Sequence, residues 1–284
     1  MSVLSNFEGM PARLEGMYRF LATQPNGVSK QDLFHTMMPS STTKEDKKQP
    51  RVIVEQTWTQ GVGLGLWDVE DGHVRLSTNL QEATGGLLTV IEAYLWDNTD
   101  SNTDLGYAVA WLLAHDPVEG AWTRERVETA VNATRWADET GIGQKGRYGV
   151  LRDWSTYLGF AWKAEYNGST GLMPDPTTHI RRLLPDVMDQ TEEKVRFAHF
   201  MNALAEVSPV LDGGRFREEV DRETNSRPPK QVSASTAFAL DQLQEAGVIS
   251  MEEKADDPDP RVIKRGEKTS QVSHITWHPD APTA

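Results

Sequence analysis

The sequence contains no cysteine, and this absence excludes several kinds of chemistry. Without thiols the chain has no disulfide bonds, no thiolate nucleophile and no cysteine-ligated zinc. It also lacks any apolar run approaching the roughly 18 residues that a membrane-spanning helix needs, and its first 25 residues show no basic start followed by an apolar core. We therefore expect a cytoplasmic protein that has no membrane partner.

Positive charge is also scarce, because 29 lysines and arginines stand against 42 aspartates and glutamates, which gives a net charge of −13. The phosphates of DNA repel an acidic protein, so any DNA contact must come from local basic patches, or else the main ligand is another protein. Apolar residues make up 38% of the 284 positions, and nine of them are tryptophans. This composition predicts a globular chain with well-formed cores.

The common motifs of cofactor and catalytic sites are missing or lie in the wrong context. There is no G-x-x-x-x-G-K-[ST] phosphate loop and no G-x-S-x-G nucleophile elbow. Gly141–Gly146 matches G-x-G-x-x-G, but a dinucleotide loop follows a strand, and Val127–Glu139 reads as a helix. His274 and His278 are four residues apart, but they fall in a predicted strand and in the tail. We expect no cofactor and no metal.

One set of charged residues superficially resembles a metal-dependent nuclease. Asp186 followed by Glu192, Glu193 and Lys194 supplies two kinds of carboxylate and a lysine. These glutamates occupy a predicted helix start, where the helix dipole favours carboxylates, instead of adjacent strands. We therefore expect no enzymatic activity. A hydrolase remains an alternative that would require a concave site with converging titratable groups.

The most informative segment runs from Val232 to Trp277. A helix is predicted over Ser233–Ala246, capped by Ser233 and Ser235, with a buried stripe at every third residue and an end at Gly247. The elements predicted after it are a strand at Val248–Met251, a polar loop at Glu252–Gln271 and a strand at Val272–Trp277. This order is typical of the second half of a winged helix, and another small α+β subdomain is the alternative.

A similar order is predicted near the amino terminus. Its elements are helices at Leu14–Leu21, Ser29–Met37 and Arg51–Thr59, a stop at Gly61–Gly63, and a hairpin at Leu64–Ser77 that turns at Glu70–Gly72. In the carboxy-terminal part, a helix capped by Thr191 and a second helix at Arg215–Thr224 precede the recognition helix. The sequence therefore predicts a winged helix at each end of the chain.

The middle of the chain reads as helical by its apolar period. The elements predicted there include a helix at Arg147–Trp162, a turn at Tyr166–Ser169 and a helix that ends at Pro185. The predicted fold is thus mainly α with some β structure, in which two winged-helix domains flank a central helical domain. The predicted boundaries are 1–78, 79–189 and 190–284.

A DNA contact is expected from basic and polar residues around the two winged helices. The carboxy-terminal candidates are Arg227, Lys230, Gln231, Ser233, Ser235, Thr236, Arg261, Lys264, Arg265 and Lys268. Between Arg261 and Lys268 of the predicted wing, four of these cations stand against the single acid Glu267, which is a local excess of three. The amino-terminal candidates Lys47, Lys48 and Arg51 are diluted by neighbouring acids. For both sets the alternative is a solvated loop.

Two stretches of the middle segment resemble a known family. Arg152–Phe160, and Leu172–Thr177 with the helix to Pro185, are similar to the DpdG proteins. Those proteins belong to bacterial gene islands that insert deazaguanine bases into DNA and restrict DNA lacking them. The resemblance implies a role in phage defence alongside helicase and nuclease partners, and it assigns no catalytic residues.

These observations favour a non-enzymatic, DNA-engaging accessory subunit of a phage-defence or DNA-modification and restriction complex. Its expected partners are duplex DNA and other protein subunits of the system. The alternative is an acidic scaffold that binds protein, resembling the tandem winged-helix partners of chromosome-condensing ATPases. The surface charge distinguishes the two, because a basic face around Ser233–Thr236 and the wing favours DNA, whereas an apolar or acidic face favours protein.

Overall fold

A computed structural model describes residues 2–38, 48–83, 85–96, 103–144, 146–166, 168–188, 194–224, 227–254 and 257–281. The elements up to the middle of the chain are α1 (Pro11–Ala22), β1 (Val28–Ser29), α2 (Lys30–Met37), α3 (Lys48–Gly63), β2 (Trp67–Glu70), β3 (His73–Leu76), α4 (Thr78–Glu82), α5 (Gly86–Trp96), α6 (Thr103–Leu113), α7 (Arg124–Val131), α8 (Trp136–Thr140) and α9 (Arg147–Tyr157). The later elements are β4 (Ala161–Tyr166), β5 (Ser169–Pro174), α10 (Thr177–Val187), β6 (Val195–Arg196), α11 (Phe197–Val207), α12 (Arg215–Thr224), α13 (Ala234–Glu245), β7 (Ile249–Glu252), β8 (Arg261–Arg265), β9 (Lys268–Val272) and β10 (His274–Trp277).

The chain is a mixed α/β protein in which helices predominate and the strands form small antiparallel sheets, as the sequence predicts. It divides into two compact units. The first unit takes residues 1–105 and 144–157, and the second takes residues 106–143 and 158–284. The division into domains at 1–78, 79–189 and 190–284 stays a prediction. In the described ranges, no helix combines the length and the apolar character that crossing a membrane requires.

The first unit contains a three-stranded sheet in the order β1-β3-β2. The predicted hairpin is present, with Trp67 opposite Leu76 and a turn at Asp71 and Gly72. These two residues have φ of 51° and 77°, the pair of positive values that a two-residue type I′ turn requires. The strand β1 was not expected from the sequence, because two residues are too few to show a period.

A glycine inside α3 allows a tryptophan to pack closely against the helix. Trp67 stacks on Trp58 with 5.9 Å between ring centroids, and its indole N–H donates to the Trp58 carbonyl at 3.3 Å. A Cβ placed on Gly61 would lie 1.7 Å from Cζ2 of Trp67. The prediction that Gly61 begins the helix stop was therefore wrong, because this glycine serves packing and α3 continues to Gly63.

The second unit contains a hairpin that the sequence did not predict. Strands β4 and β5 pair from Ala161 opposite Pro174 to Tyr166 opposite Ser169. The predicted helix Arg147–Trp162 is wrong in its last part, because α9 ends at Tyr157 and Gly159 adopts a φ of 81°. The predicted turn at Tyr166–Ser169 is confirmed as the turn of this hairpin. The helix expected to end at Pro185 continues to Val187.

A second three-stranded sheet has the order β6-β10-β7. Its strand β6 falls in the helix that was predicted to start at Thr191, a residue that lies outside the described ranges. Here Val195 pairs with Ile275, so the helix begins only at Phe197. In both three-stranded sheets, a two-residue strand leads directly into a helix and pairs with the last strand of the sheet.

The segment Glu252–Gln271, predicted as a polar loop, contains the hairpin β8-β9. Ile263 is fully buried in it, and Gly266 forms the turn with a φ of 60°. The main chain of β8 is also bound on its other side, because the Val262 N–H donates to the Lys230 carbonyl at 2.9 Å and the Val262 carbonyl accepts from Val232 at 2.8 Å. These partners, which lie far along the chain, provide main-chain hydrogen bonds on the side of β8 that does not face β9.

We expect Gly61→Ala to destabilise the protein by about 1–3 kcal/mol or more, because the added methyl group overlaps the Trp67 ring. The matched control is Gly16→Ala in α1, where an added Cβ meets nothing within 4 Å. That change should stabilise the protein by about 0.5–1 kcal/mol, because alanine favours a helix interior. Urea unfolding monitored by tryptophan fluorescence measures both. Equal effects of the two substitutions would contradict the packing role of Gly61.

Candidate nucleic-acid interface

Three of the predicted contact residues lie at the start of α13. Ser233 caps the helix as predicted, since its Oγ accepts from the Thr236 N–H at 3.4 Å. The same hydroxyl donates to Thr236 Oγ1 at 3.1 Å, and the Ser235 hydroxyl donates to the Leu113 carbonyl at 2.6 Å. The exposed fractions of Ser233, Ser235 and Thr236 are 3%, 0% and 0%. A nucleic acid would reach these hydroxyls only if the first turn of α13 were uncovered.

The rest of α13 is also covered on more than one side. It packs against α10, β7 and β8, and its buried side chains include Ala237, Ala239, Leu240 and Leu243. The expectation of a single buried stripe was therefore wrong, because the unforeseen hairpin covers a second side. The exposed positions within α13 lie in its last turn, where Gln242, Gln244 and Glu245 carry no positive charge.

A closed network of buried charges lies beside the start of α13. Arg217 is 1% exposed, and its guanidinium donates to Asp221 Oδ1 at 2.9 Å and to the Leu113 carbonyl at 3.0 Å. Its Nη1 also lies 3.4 Å from Asp212 Oδ1. Asp212 in turn accepts from the Ser233 N–H at 2.8 Å. The network therefore joins α12 to the end of α6 and to the cap of α13.

Arg227, a predicted contact residue, belongs to the same network. Its Nη2 pairs with Asp221 Oδ2 and lies 3.1 Å from Asp212 Oδ1, while its Nη1 donates to the Gln231 carbonyl at 2.8 Å. Two arginines thus face two aspartates. Burial alone would raise the pKa of Asp221, but Arg217 and Arg227 outweigh it and the pKa is lowered. Burial likewise works against the charge of Arg227, whose pKa is nevertheless raised by Asp212 and Asp221.

The sequence did not point to Arg217, Asp212 or Asp221. A usable signal was present, because Arg217 and Asp221 are spaced i, i+4 on the side of α12 that also buries Phe216 and Val220. A cation on the apolar side of a helix needs a compensating acid, and the spacing indicates which acid supplies it.

Three further predicted cations are paired with carboxylates of the protein. Lys230 Nζ lies 2.8 Å and Arg261 Nη1 lies 3.1 Å from the same Asp259 oxygen. The hydrogen bond from Lys230 is the main reason that the pKa of Asp259 is lowered. Arg265 holds Asp241 of α13 in a two-pronged contact, with Nε at 2.7 Å and Nη2 at 2.6 Å from the two carboxylate oxygens. This contact raises the pKa of Arg265.

Lys264 and Lys268 differ from these cations. Both are exposed beside the turn of β8-β9, and neither forms an ion pair with any residue of the described ranges. The local excess of three cations shrinks accordingly. Once Arg261 is paired with Asp259 and Arg265 with Asp241, two lysines stand against Glu267, which leaves an excess of one. Gln231, the remaining carboxy-terminal candidate, is half-buried and its main chain bridges to Val262.

The amino-terminal candidates lie at or just before the start of α3. Lys47 lies outside the described ranges, and Lys48 is the first residue of α3. Arg51 is exposed on α3. The exposed positions that follow it, at helical spacing, are Val52, Glu55, Thr59 and Val62, with the two valines 43% and 47% exposed. This side of α3 thus exposes two valines and one acid besides Arg51.

The hairpin β2-β3 is also acidic. It carries Asp68, Glu70 and Asp71 against Arg75, which pairs with Glu70 at 3.1 Å. Val69 beside them is 55% exposed. The hairpins β2-β3 and β8-β9 therefore carry charge of opposite sign.

No group of three or more histidines, aspartates or glutamates that could hold a metal ion occurs among the described residues. Asp186 is exposed near the end of α10, and Glu192 and Glu193 lie outside the described ranges. A cavity of about 630 Å³ lies beside the buried network. Among its charged lining residues, Arg227 pairs with Asp221 and Arg222 with Glu218 at 3.8 Å, while Lys230 and Arg261 pair with Asp259.

We expect Asp221→Asn to cost about 3 kcal/mol at pH 7, because it leaves two guanidiniums with one buried carboxylate. Since the pKa of Asp221 is lowered by folding, its stabilising effect is present above the unfolded value near 3.9 and is lost as the pH falls through the folded value. The difference in stability between the variant and the wild type should therefore shrink as the pH falls below the unfolded value. Denaturant unfolding across pH 3–7 measures this, with the exposed Glu218→Gln on the same helix as the control. A stability difference that is constant with pH would contradict the charged role of Asp221.

A family model of DpdG-like proteins matches residues 1–257. Neither a curated protein nor a solved structure matches the chain. The family match extends far beyond the two middle stretches that carry the resemblance in sequence. The chain therefore belongs to the DpdG-like family.

Proposed function

We propose that this protein is a non-enzymatic accessory subunit of a deazaguanine DNA-modification system with a role in phage defence, and that it contacts duplex DNA through the tip of β8-β9. Membership of the DpdG-like family supports the system and the presence of protein partners in it. The observation that carries the DNA contact is the exposure of Lys264 and Lys268 without an ion pair among the described residues. Lysine at a hairpin tip binds phosphate as a point charge.

The proposal includes a winged helix in each unit. The order α1-β1-α2-α3-β2-β3, with β1 paired to β3, is the order of that fold. In the second unit, β6 leads into α11 and pairs with β10 just as β1 leads into α2 and pairs with β3. By this correspondence the first helix of the second winged helix is α10, and α12 is inserted before α13. This differs from a domain start at residue 190, which would leave α10 outside.

A specific observation also favours the second candidate, a scaffold that binds protein. The exposed side of α3 carries Val52 and Val62, and the neighbouring element β2 exposes Val69 among acids. Exposed apolar side chains at helical spacing are typical of protein contacts, and acids are repelled by DNA. We therefore assign a protein contact to the first unit, which is compatible with a DNA contact made by the second.

The non-enzymatic part of the proposal is tested with purified protein, duplex DNA and magnesium or manganese. We expect no cleavage, since the cations that line the described cavity are each paired with a carboxylate of the protein. Metal-dependent cleavage that is abolished by Asp186→Ala would show instead that the protein is a nuclease.

We expect the double variant Lys264→Glu with Lys268→Glu to weaken duplex binding and to lower the slope of log affinity against log salt by about two units, because two phosphate contacts are lost. Fluorescence anisotropy with a labelled duplex at several salt concentrations measures this. The control is Arg13→Glu with Arg19→Glu, an equal charge change at exposed positions of α1. If both double variants behave alike, only net charge matters and the hairpin is not the contact.

A further inference from the structure

We propose that the DNA contact of this protein is confined to the phosphate backbone, so that it binds duplexes regardless of base sequence and of base modification. This inference rests on the proposed function, in which β8-β9 meets DNA. The reason is that the side chains of the second unit that could recognise a base edge are buried or bound by other residues of the protein.

A winged helix usually reads bases by placing its third helix in the major groove. For that purpose the first turns of the helix must be open to solvent. In α13 the first turns are closed, because Ser235, Thr236 and Ala239 are 0% exposed and the Ser235 hydroxyl is used by the Leu113 carbonyl. Its exposed positions lie at the other end, beside Glu245. The first turns of α13 therefore offer no surface for reading a groove, and the exposed side chains Gln242 and Gln244 lie in its last turn.

The arginines near the hairpin are also withheld from the bases. The commonest specific contact with DNA is an arginine whose two nitrogens face one guanine. Arg265 is the arginine closest to the hairpin turn, and both its Nε and its Nη2 are bound by Asp241. Arg227 is held differently, because its Nη2 contacts both Asp212 and Asp221 and its Nη1 donates to the Gln231 carbonyl. The guanidinium groups of Arg265 and Arg227 are thus already bound by carboxylates of the protein.

The pairing register of β8-β9 shows which side chains at its tip are exposed and able to contact DNA. Ile263 lies opposite Ser270 on the side that faces the core, where Ile263 is fully buried. On the opposite side Lys264 lies next to Thr269, and both are exposed. Lys268 stands across from Arg265 at the turn. A lysine is a compact charge without the fixed geometry that distinguishes one base from another, so the tip binds phosphates.

In a DNA-modification system, backbone binding decides which component can recognise the modified base. A subunit that binds only the backbone meets modified and unmodified DNA equally well. The step that discriminates between them must then be made by a different component, and this protein would hold that component on DNA without choosing the site.

The inference is tested with the full chain and four duplexes of equal length. Three have unrelated base sequences, one AT-rich, one GC-rich and one mixed, and the fourth is the mixed sequence with 7-deazaguanine at every guanine. We expect affinities that agree within about threefold at one salt concentration, whereas base-specific binding typically separates sequences by about a thousandfold. A preference of more than about tenfold for one duplex overturns the inference and leaves the proposed DNA contact standing. Absence of binding to all four overturns the proposed function and the inference with it.

Two variants test whether Arg265 or α13 contacts the bases of DNA. Asp241→Asn with Arg265→Gln removes the pair without changing the net charge, and Gln242→Ala truncates an exposed side chain of α13. We expect both to bind the mixed duplex as the wild type does, with an unchanged salt slope. A loss of about tenfold in the first would show that Arg265 leaves Asp241 to contact DNA, and the same loss in the second would place α13 in a groove. Either result overturns the inference, provided that circular dichroism shows the variant to be folded.

Discussion

The second unit depends on the compensation of one buried charge. A guanidinium that is 1% exposed, as in Arg217, is tolerated only when carboxylates and carbonyls surround it, because an uncompensated charge in the interior costs several kcal/mol. Its partners come from separate parts of the chain, namely Leu113 at the end of α6, Asp221 within α12 and Asp212 in the loop before α12. Asp212 then binds the cap residue Ser233. The positions of α6, α12 and α13 relative to one another are therefore set by hydrogen-bond geometry as well as by apolar packing.

This constraint decides what α13 and its neighbours can do. Because the network holds the start of α13 inside the unit, the polar residues there stabilise a helix cap and are not offered to a ligand. The hairpin β8-β9 is attached to the same helix through buried Ile263 and through the pair of Arg265 with Asp241. Arg227, Arg261 and Arg265 thus pair with carboxylates of the protein, whereas Lys264 and Lys268 beside the turn form no ion pair with any described residue. In the proposed function, the acidic chain would contact DNA through this local patch and keep its overall repulsion from other polyanions.

The sequence predicted well those features that depend on neighbouring residues. The cap at Ser233 and the turn at Asp71 and Gly72 follow from local chemistry, and both are present. It failed where a partner lies far along the chain. Strand β6 is too short to show a period and exists only because β10 pairs with it, and β8 looks like part of a polar loop until the main chain at Lys230 is brought beside it. The ion pairs of the candidate cations could not be predicted for the same reason. Counting charges cannot show that Arg227 and Arg265 are paired, since Asp212 and Asp241 are 15 and 24 residues away.

The two three-stranded sheets show how one arrangement can support different contacts. In each sheet, a two-residue strand precedes a helix and pairs with the last strand. Helices α3 and α13 therefore occupy equivalent places, before the strands β2 and β7 that pair with the other edge of that last strand. In the second unit α10, β7 and β8 cover α13, whereas α3 exposes Val52, Glu55 and Val62. The hairpin that follows α3 is acidic, and the hairpin within the second unit is basic at its tip. Since phosphate attracts one of these surfaces and repels the other, we propose the protein contact for the first unit and the DNA contact for the second.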